Sequence, residues 1–172
     1  MISEREAGPL APIFAEIRER MALGVVPAVF RAMAGVGTDV LTQNWTAYRE
    51  TVLEGHLPRS LKEMVGLVVA RAGGCPYGIG LYSRGLAVLG ISAEVISSLA
   101  ECGDAAHLSL RERAVVRFAE SYHHGAGDDL SQQALESFGL SDDEVAEVSD
   151  AVLLSEGLCR FAREVGLTAE EI

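Results

Sequence analysis

The sequence predicts an all-α fold, a single-domain helical bundle over residues 1–172, and three observations lead there. Apolar residues recur at helical spacing in nearly every segment, sustained period-two alternation is absent, and glycine-led joints of one recurring form punctuate the segments. No long Pro/Ser linker divides the chain. A chain of 172 residues removes about 70% of its unfolded surface from water, so one core forms without disulfide or metal staples.

Taken in order, residues 9–23 place Ile13, Ile17 and Met21 at i, i+4 and i+8, with Arg18, Glu19 and Arg20 interleaved, an amphipathic pattern. Residues 38–53 open on Thr38-Asp39 as the expected cap and carry Leu41, Trp45, Tyr48 and Val52 on one side. Residues 58–72 are apolar almost all round after Glu63, as in a central helix, and Gly73-Gly74 ends them. Helical spacing resumes over residues 75–89, where Cys75, Gly78, Tyr82 and Leu86 share a face. Three more helices are expected over residues 93–102, 110–123 and 142–165. The joints Gly90-Ile91-Ser92-Ala93-Glu94, Gly139-Leu140-Ser141-Asp142-Asp143 and Gly166-Leu167-Thr168-Ala169-Glu170 have one logic. A C′ glycine closes one helix, a hydroxyl side chain caps the next, and acid sits near its positive end.

Composition sets the outer limits. Hydrophobic residues make up 49% and charged residues 23%, the balance of an ordinary soluble domain. A formal charge of −11 disfavours nucleic acid, whose phosphates need Lys and Arg. Residues 128–172 hold twelve acidic and two basic residues, read as solvated helix faces in preference to a docking surface for a basic partner. The longest apolar runs, such as residues 64–70, fall short of the roughly 18 a membrane span needs. The opening Met1-Ile2-Ser3-Glu4-Arg5-Glu6 has no secretory pattern, so a cytoplasmic location is expected. Three cysteines without regular spacing fit reduced thiols.

The chemistry-bearing stretch runs from Leu57 through Tyr82. Glu63 lies on the central helix, where desolvation lifts a carboxyl toward neutrality and suits it to proton transfer; the alternative is a structural carboxylate satisfied by Arg71 or Arg84. Cys75 starts a helix, at the positive end of the dipole, where a thiolate is stabilised; the alternative is a small buried hydrophobe. Tyr77 and Tyr82 are either packing residues or proton donors in a pocket, and Gly78 leaves room for a ligand. His56, close in sequence to the Glu63 helix, is the histidine to examine beside that pocket. Cys102 and Cys159 are expected to be core residues of their helices without chemistry. Adjacent histidines point about 100° apart on a helix, so His123-His124 with Asp128 and Asp129 read as a solvated helix end, and neither a metal nor another cofactor is expected.

Gly24-Val25-Val26-Pro27-Ala28-Val29-Phe30, the Leu-Pro-x-x-Leu-Lys-Glu run at residues 57–63, the Cys-Pro-Tyr element at residues 75–77 and the Gly90-Ile91-Ser92 joint together resemble the peroxidase-related branch of the alkylhydroperoxidase D and carboxymuconolactone decarboxylase superfamily. The resemblance is strongest over residues 24–166. It implies a helical trimer or hexamer, with a glutamate, a Cys-x-x-Cys pair and a histidine around a small buried site. Position by position, Glu63 matches the glutamate and Cys75 the first cysteine, whereas the second cysteine falls on Gly78 and the histidine on Tyr82. The dithiol that resolves a peroxide-oxidised sulfur within one helical turn is therefore missing. The expected function is a non-redox enzyme acting on a small organic molecule, with Glu63 and Tyr82 transferring protons. Two alternatives stand beside it: a lone-thiol peroxidase built on Cys75, and a catalytically silent oligomer that binds a ligand or a protein.

Overall fold

Apolar spacing of three and four residues folds the chain into nine helices among the residues that the computed structural model describes, 8–126 and 129–169. They are α1 (Ala11–Met21), α2 (Ala28–Val36), α3 (Thr38–Tyr48), α4 (Arg59–Ala72), α5 (Pro76–Val88), α6 (Ala93–Cys102), α7 (Leu110–His123), α8 (Asp129–Ser137) and α9 (Asp142–Glu164). No strand occurs among the described residues, and no helix there is long and apolar enough to cross a membrane.

The central position expected for residues 58–72 is observed: α4 packs against α5, α6, α7 and α9, and every residue from Leu61 to Ala70 is buried. Lys62 is buried with them because its ammonium reaches the Glu54 carbonyl and the Glu147 carboxylate, which satisfy the charge that burial would otherwise penalise. Ser92 and Ser141 cap α6 and α9 as expected, and a capping box at Ser109–Glu112 opens α7. The left-handed backbone of Gly90, Gly139 and Gly166 accounts for glycine at each joint.

Four local features differ from expectation. Helix α2 went unseen because Arg31 alone among its nine residues is charged, which leaves no polar face to set the period. Helix α8 follows the Gly125 turn, in a stretch where the sequence predicts no helix. Gly37, not Thr38-Asp39, precedes α3; Thr38 lies inside the helix and its carbonyl accepts the Thr42 hydroxyl at 2.9 Å. The helix over residues 38–53 also changes pitch: Arg49–Leu53 form a π-helical turn, with the Glu54 amide donating to the Arg49 carbonyl five residues back at 3.0 Å.

Candidate functional site

The Gly73-Gly74 turn folds α4 and α5 into an antiparallel pair whose faces mesh side chain against glycine. Gly74 takes the left-handed backbone at φ +60° that the reversal requires, and the Cys75 amide donates to the Ala70 carbonyl at 2.8 Å. From there three contacts succeed one another. Gly78 lies against Ala70, the Tyr82 ring lies flat on Gly66, and the Glu63 carboxyl lies on Gly85; a Cβ added to any of the three glycines would meet its neighbour at 2.9 Å or less.

Glu63 is 1% exposed. Its Oε1 accepts from Arg59 Nε at 3.1 Å and from the Tyr48 hydroxyl at 3.3 Å, while Oε2 is buried with no hydrogen-bond partner. The partner is therefore Arg59, one turn back on α4, in place of the expected Arg71 or Arg84; Arg71 instead pairs with Glu120. Burial raises the Glu63 pKa to about 7, against the opposing pull of Arg59 and Tyr48. Phe30 and Trp45 hold Tyr48 in place, with ring centroids 5.7 and 6.1 Å from its own.

Cys75 is the N-cap of α5, and its sulfur accepts the Gly78 amide at 3.3 Å while Pro76 fills the first helical position. A hydrogen bond from the Cys159 thiol, this amide and the Arg163 guanidinium together lower the Cys75 pKa to about 6, against burial. Cys159 moves the opposite way: the Cys75 thiolate beside it and burial push its thiol up. Cys159, on α9, is buried in the core as expected, but its place beside Cys75 was not legible in the sequence. It is 81 positions from Gly78, yet its sulfur lies 2.6 Å from where a Gly78 Cβ would stand. Only the glycine at position 78 and a spare cysteine one turn before Arg163 signalled it. The other cysteine, Cys102, is exposed at the end of α6 and not in the core as expected.

Tyr82 stands between the two ends of this row, within electrostatic reach of Glu63 on one side and of Cys75 and Cys159 on the other. Its hydroxyl donates to Ser155 Oγ at 2.9 Å, and burial holds its pKa well above the usual phenol value. Glu63 and Cys75 do not touch; ten residues of α5, about 15 Å, separate Cys75 from the Gly85 on which Glu63 rests. Tyr77 is buried and its hydroxyl accepts the Val29 amide at 2.9 Å, tying α5 to α2. His56 is exposed and joins a different group, with its amide donating to Glu147 Oε2 at 2.9 Å, on the Lys62 side of α4. Among the described residues no cluster of three or more metal-ligating side chains occurs; Asp128 lies outside them, as does the Asp129 side chain.

A cavity of about 280 Å³ opens beside this row and is lined by Cys159, Val69, Gly73, His123, Glu156, Arg160 and Arg163. His123 Nδ1 and Glu156 Oε1 are 2.6 Å apart there, and Arg163 donates to the Gly73 carbonyl at 2.7 Å, clamping the α4–α5 turn. The packing around Gly78 makes a direct prediction. Gly78→Cys should destabilise the protein by about 1–3 kcal/mol through overpacking against Cys159 and Ala70. Combined with Cys159→Ala, it should cost at least about 1 kcal/mol less than the two separate effects together, as measured by urea unfolding. Strict additivity would show that the two positions do not share the space.

The profile of the carboxymuconolactone decarboxylase family matches residues 39–121, which include Glu63, Cys75, Gly78 and Tyr82 but not Cys159. An alkyl hydroperoxide reductase of Mycobacterium tuberculosis is 32% identical over 102 residues, or 59% of this chain and 29% of that relative, so the match spans under a third of the relative's length. A peroxidase-related protein from Silicibacter sp. TM1040 superposes with a TM-score of 0.85 at 21% identity, covering 95% of this chain and 87% of its own. The debrominase Bmp8 bound to 2,3,4-tribromopyrrole gives 0.84 at 18% identity, covering 98% and 89%. An alkylhydroperoxidase core protein from Ralstonia eutropha JMP134 gives 0.83 at 20% identity, covering 93% and 84%. At these identities the superpositions establish a shared fold.

Proposed function

We propose that this chain, residues 39–121 of which match the carboxymuconolactone decarboxylase family model, is a member of the alkylhydroperoxidase D-like and carboxymuconolactone decarboxylase superfamily and a thiol-dependent enzyme that reduces a small hydroperoxide, with the Cys75 thiolate supplying electrons and Glu63 acting as a buried proton store. The observation that carries this reading is the Cys75 sulfur at the N-terminus of α5. It accepts the Gly78 amide and has a pKa near 6, so it is ionised at neutral pH without any added base. The sequence relative with a hydroperoxide reductase name lends it further support. Tyr82 in this reading is a positioning residue: its ring fills the space between Glu63 and the thiols, and its hydroxyl is committed to Ser155. The trimer or hexamer implied by the family resemblance belongs to the same proposal.

A second reading keeps proton transfer by Glu63 and Tyr82 on a small organic molecule. It is favoured by the unpartnered Glu63 Oε2 and by the likeness to a debrominase that holds a brominated pyrrole. Cumene hydroperoxide consumption in the presence of dithiothreitol separates the two. The thiol reading expects consumption well above the rate of reductant alone, rising as pH passes through about 6 and level above it. Consumption no faster than that of reductant alone, at any pH, would overturn it in favour of the second.

A further inference from the structure

We infer that Cys159 is the second redox thiol of this site, moved from α5 to α9, and that a hydroperoxide oxidises the protein to a Cys75–Cys159 disulfide. The inference deepens the thiol reading above and rests on it. Its basis is a substitution in space. Both sulfurs lie within 3.3 Å of one point, the Cβ that Gly78 lacks: Cys159 Sγ at 2.6 Å and Cys75 Sγ at 3.3 Å. Cys75 Sγ also approaches the Cys159 carbonyl at 3.9 Å. A side chain at position 78 and the sulfur of Cys159 exclude each other, so the glycine is what admits the α9 thiol to the neighbourhood of Cys75.

The cavity gives the two sulfurs different tasks. Cys159 lines it together with His123, Glu156, Arg160 and Arg163, while Cys75 lies behind, 1% exposed. A hydroperoxide entering there reaches the pair past Cys159. The Cys75 thiolate attacks the distal peroxide oxygen. The S–O bond forms, the O–O bond breaks, and the alkoxide leaves as alcohol with the proton of the Cys159 thiol. Cys159, now a thiolate, attacks Cys75 Sγ; the S–S bond forms, the S–O bond breaks, and hydroxide leaves as water with a proton delivered through the His123–Glu156 pair. Two thiols are oxidised, one peroxide is reduced to alcohol and water, and an external dithiol resets the pair. The resolving sulfur thus comes from 84 residues away in sequence and needs no second cysteine on α5.

The test starts from the otherwise intact chain carrying Cys102→Ser, which removes the exposed thiol. One equivalent of cumene hydroperoxide should consume two thiols, and a non-reducing peptide map should join the Cys75 and Cys159 peptides. Cys159→Ser should stop at a sulfenic acid on Cys75 that dimedone traps and should lower turnover at least tenfold, while far-ultraviolet dichroism confirms a folded chain. The disulfide map requires no substitution at either cysteine, so it stays decisive if a variant misfolds. Full turnover in folded Cys159→Ser, or peroxide reduction with no Cys75–Cys159 linkage, overturns this inference and leaves the thiol reading standing. Absence of peroxide consumption by the intact chain overturns both.

Discussion

Cys75→Ser is expected to lower hydroperoxide turnover at least 100-fold, toward the rate of the reductant alone, in a chain that remains folded. The substitution separates chemistry from folding. Serine is among the best N-cap residues, so its hydroxyl takes over the Gly78 amide that the sulfur now accepts, and the start of α5 is preserved. The hydroxyl is not ionised near neutrality and is not oxidised by a peroxide, so both properties that Cys75 contributes disappear. Cys159, the resolving thiol, is then left with no oxidised sulfur to attack. Parallel measurement of turnover and melting temperature checks this. Activity kept within a few-fold of the intact protein would show that the electrons come from elsewhere.

The second large effect concerns Glu63 and is read in stability against pH. A carboxyl whose pKa rises to about 7 on folding, from 4.5, binds its proton more tightly in the folded chain than in the unfolded one. Unfolding therefore releases protons, and stability falls as pH climbs from about 4.5 to about 7, by roughly 3 kcal/mol for a shift of this size. Glu63→Gln replaces the neutral form with an uncharged side chain of similar shape and should erase that decline. The depressed Cys75 pKa acts in the opposite direction at higher pH, adding stability as pH rises above about 6, but it is common to both proteins and cancels in their difference. Urea unfolding of both at pH 5 and pH 8 should show the intact protein losing ground to the variant by an amount of that order. Parallel pH profiles would mean that Glu63 ionises as easily when buried as in water.

Sequence periodicity exposed most of the fold because most of these helices are amphipathic or end on glycine. Helices α2 and α8 escaped for the reasons that weaken such signals: one has almost no polar residues, and the other follows a glycine turn that reads as a loop. For the candidate site, spacing along the chain brought forward Glu63, Cys75, Gly78 and Tyr82, and the structure sets them in one row along the α4–α5 interface. Spacing could not reveal what comes from outside that pair. Tyr48 reaches Glu63 from α3, Ser155 reaches Tyr82 from α9, and Cys159 fills the space beside Gly78, each determined by helix packing across long sequence separations. His56 illustrates the converse: close in sequence to α4, it stays exposed on the Lys62 side, where its amide donates to Glu147.

The claim on which the rest depends is that Cys75 is a thiolate at neutral pH, and its ultraviolet absorbance tests that most directly. Thiolate formation would be titrated in the Cys102→Ser chain and in the same chain carrying Cys75→Ser. One thiolate should appear with a midpoint near pH 6 in the first and be missing from the second. A first midpoint in the ordinary thiol range, about 8.5, would contradict the account and leave Cys75 an unreactive buried thiol.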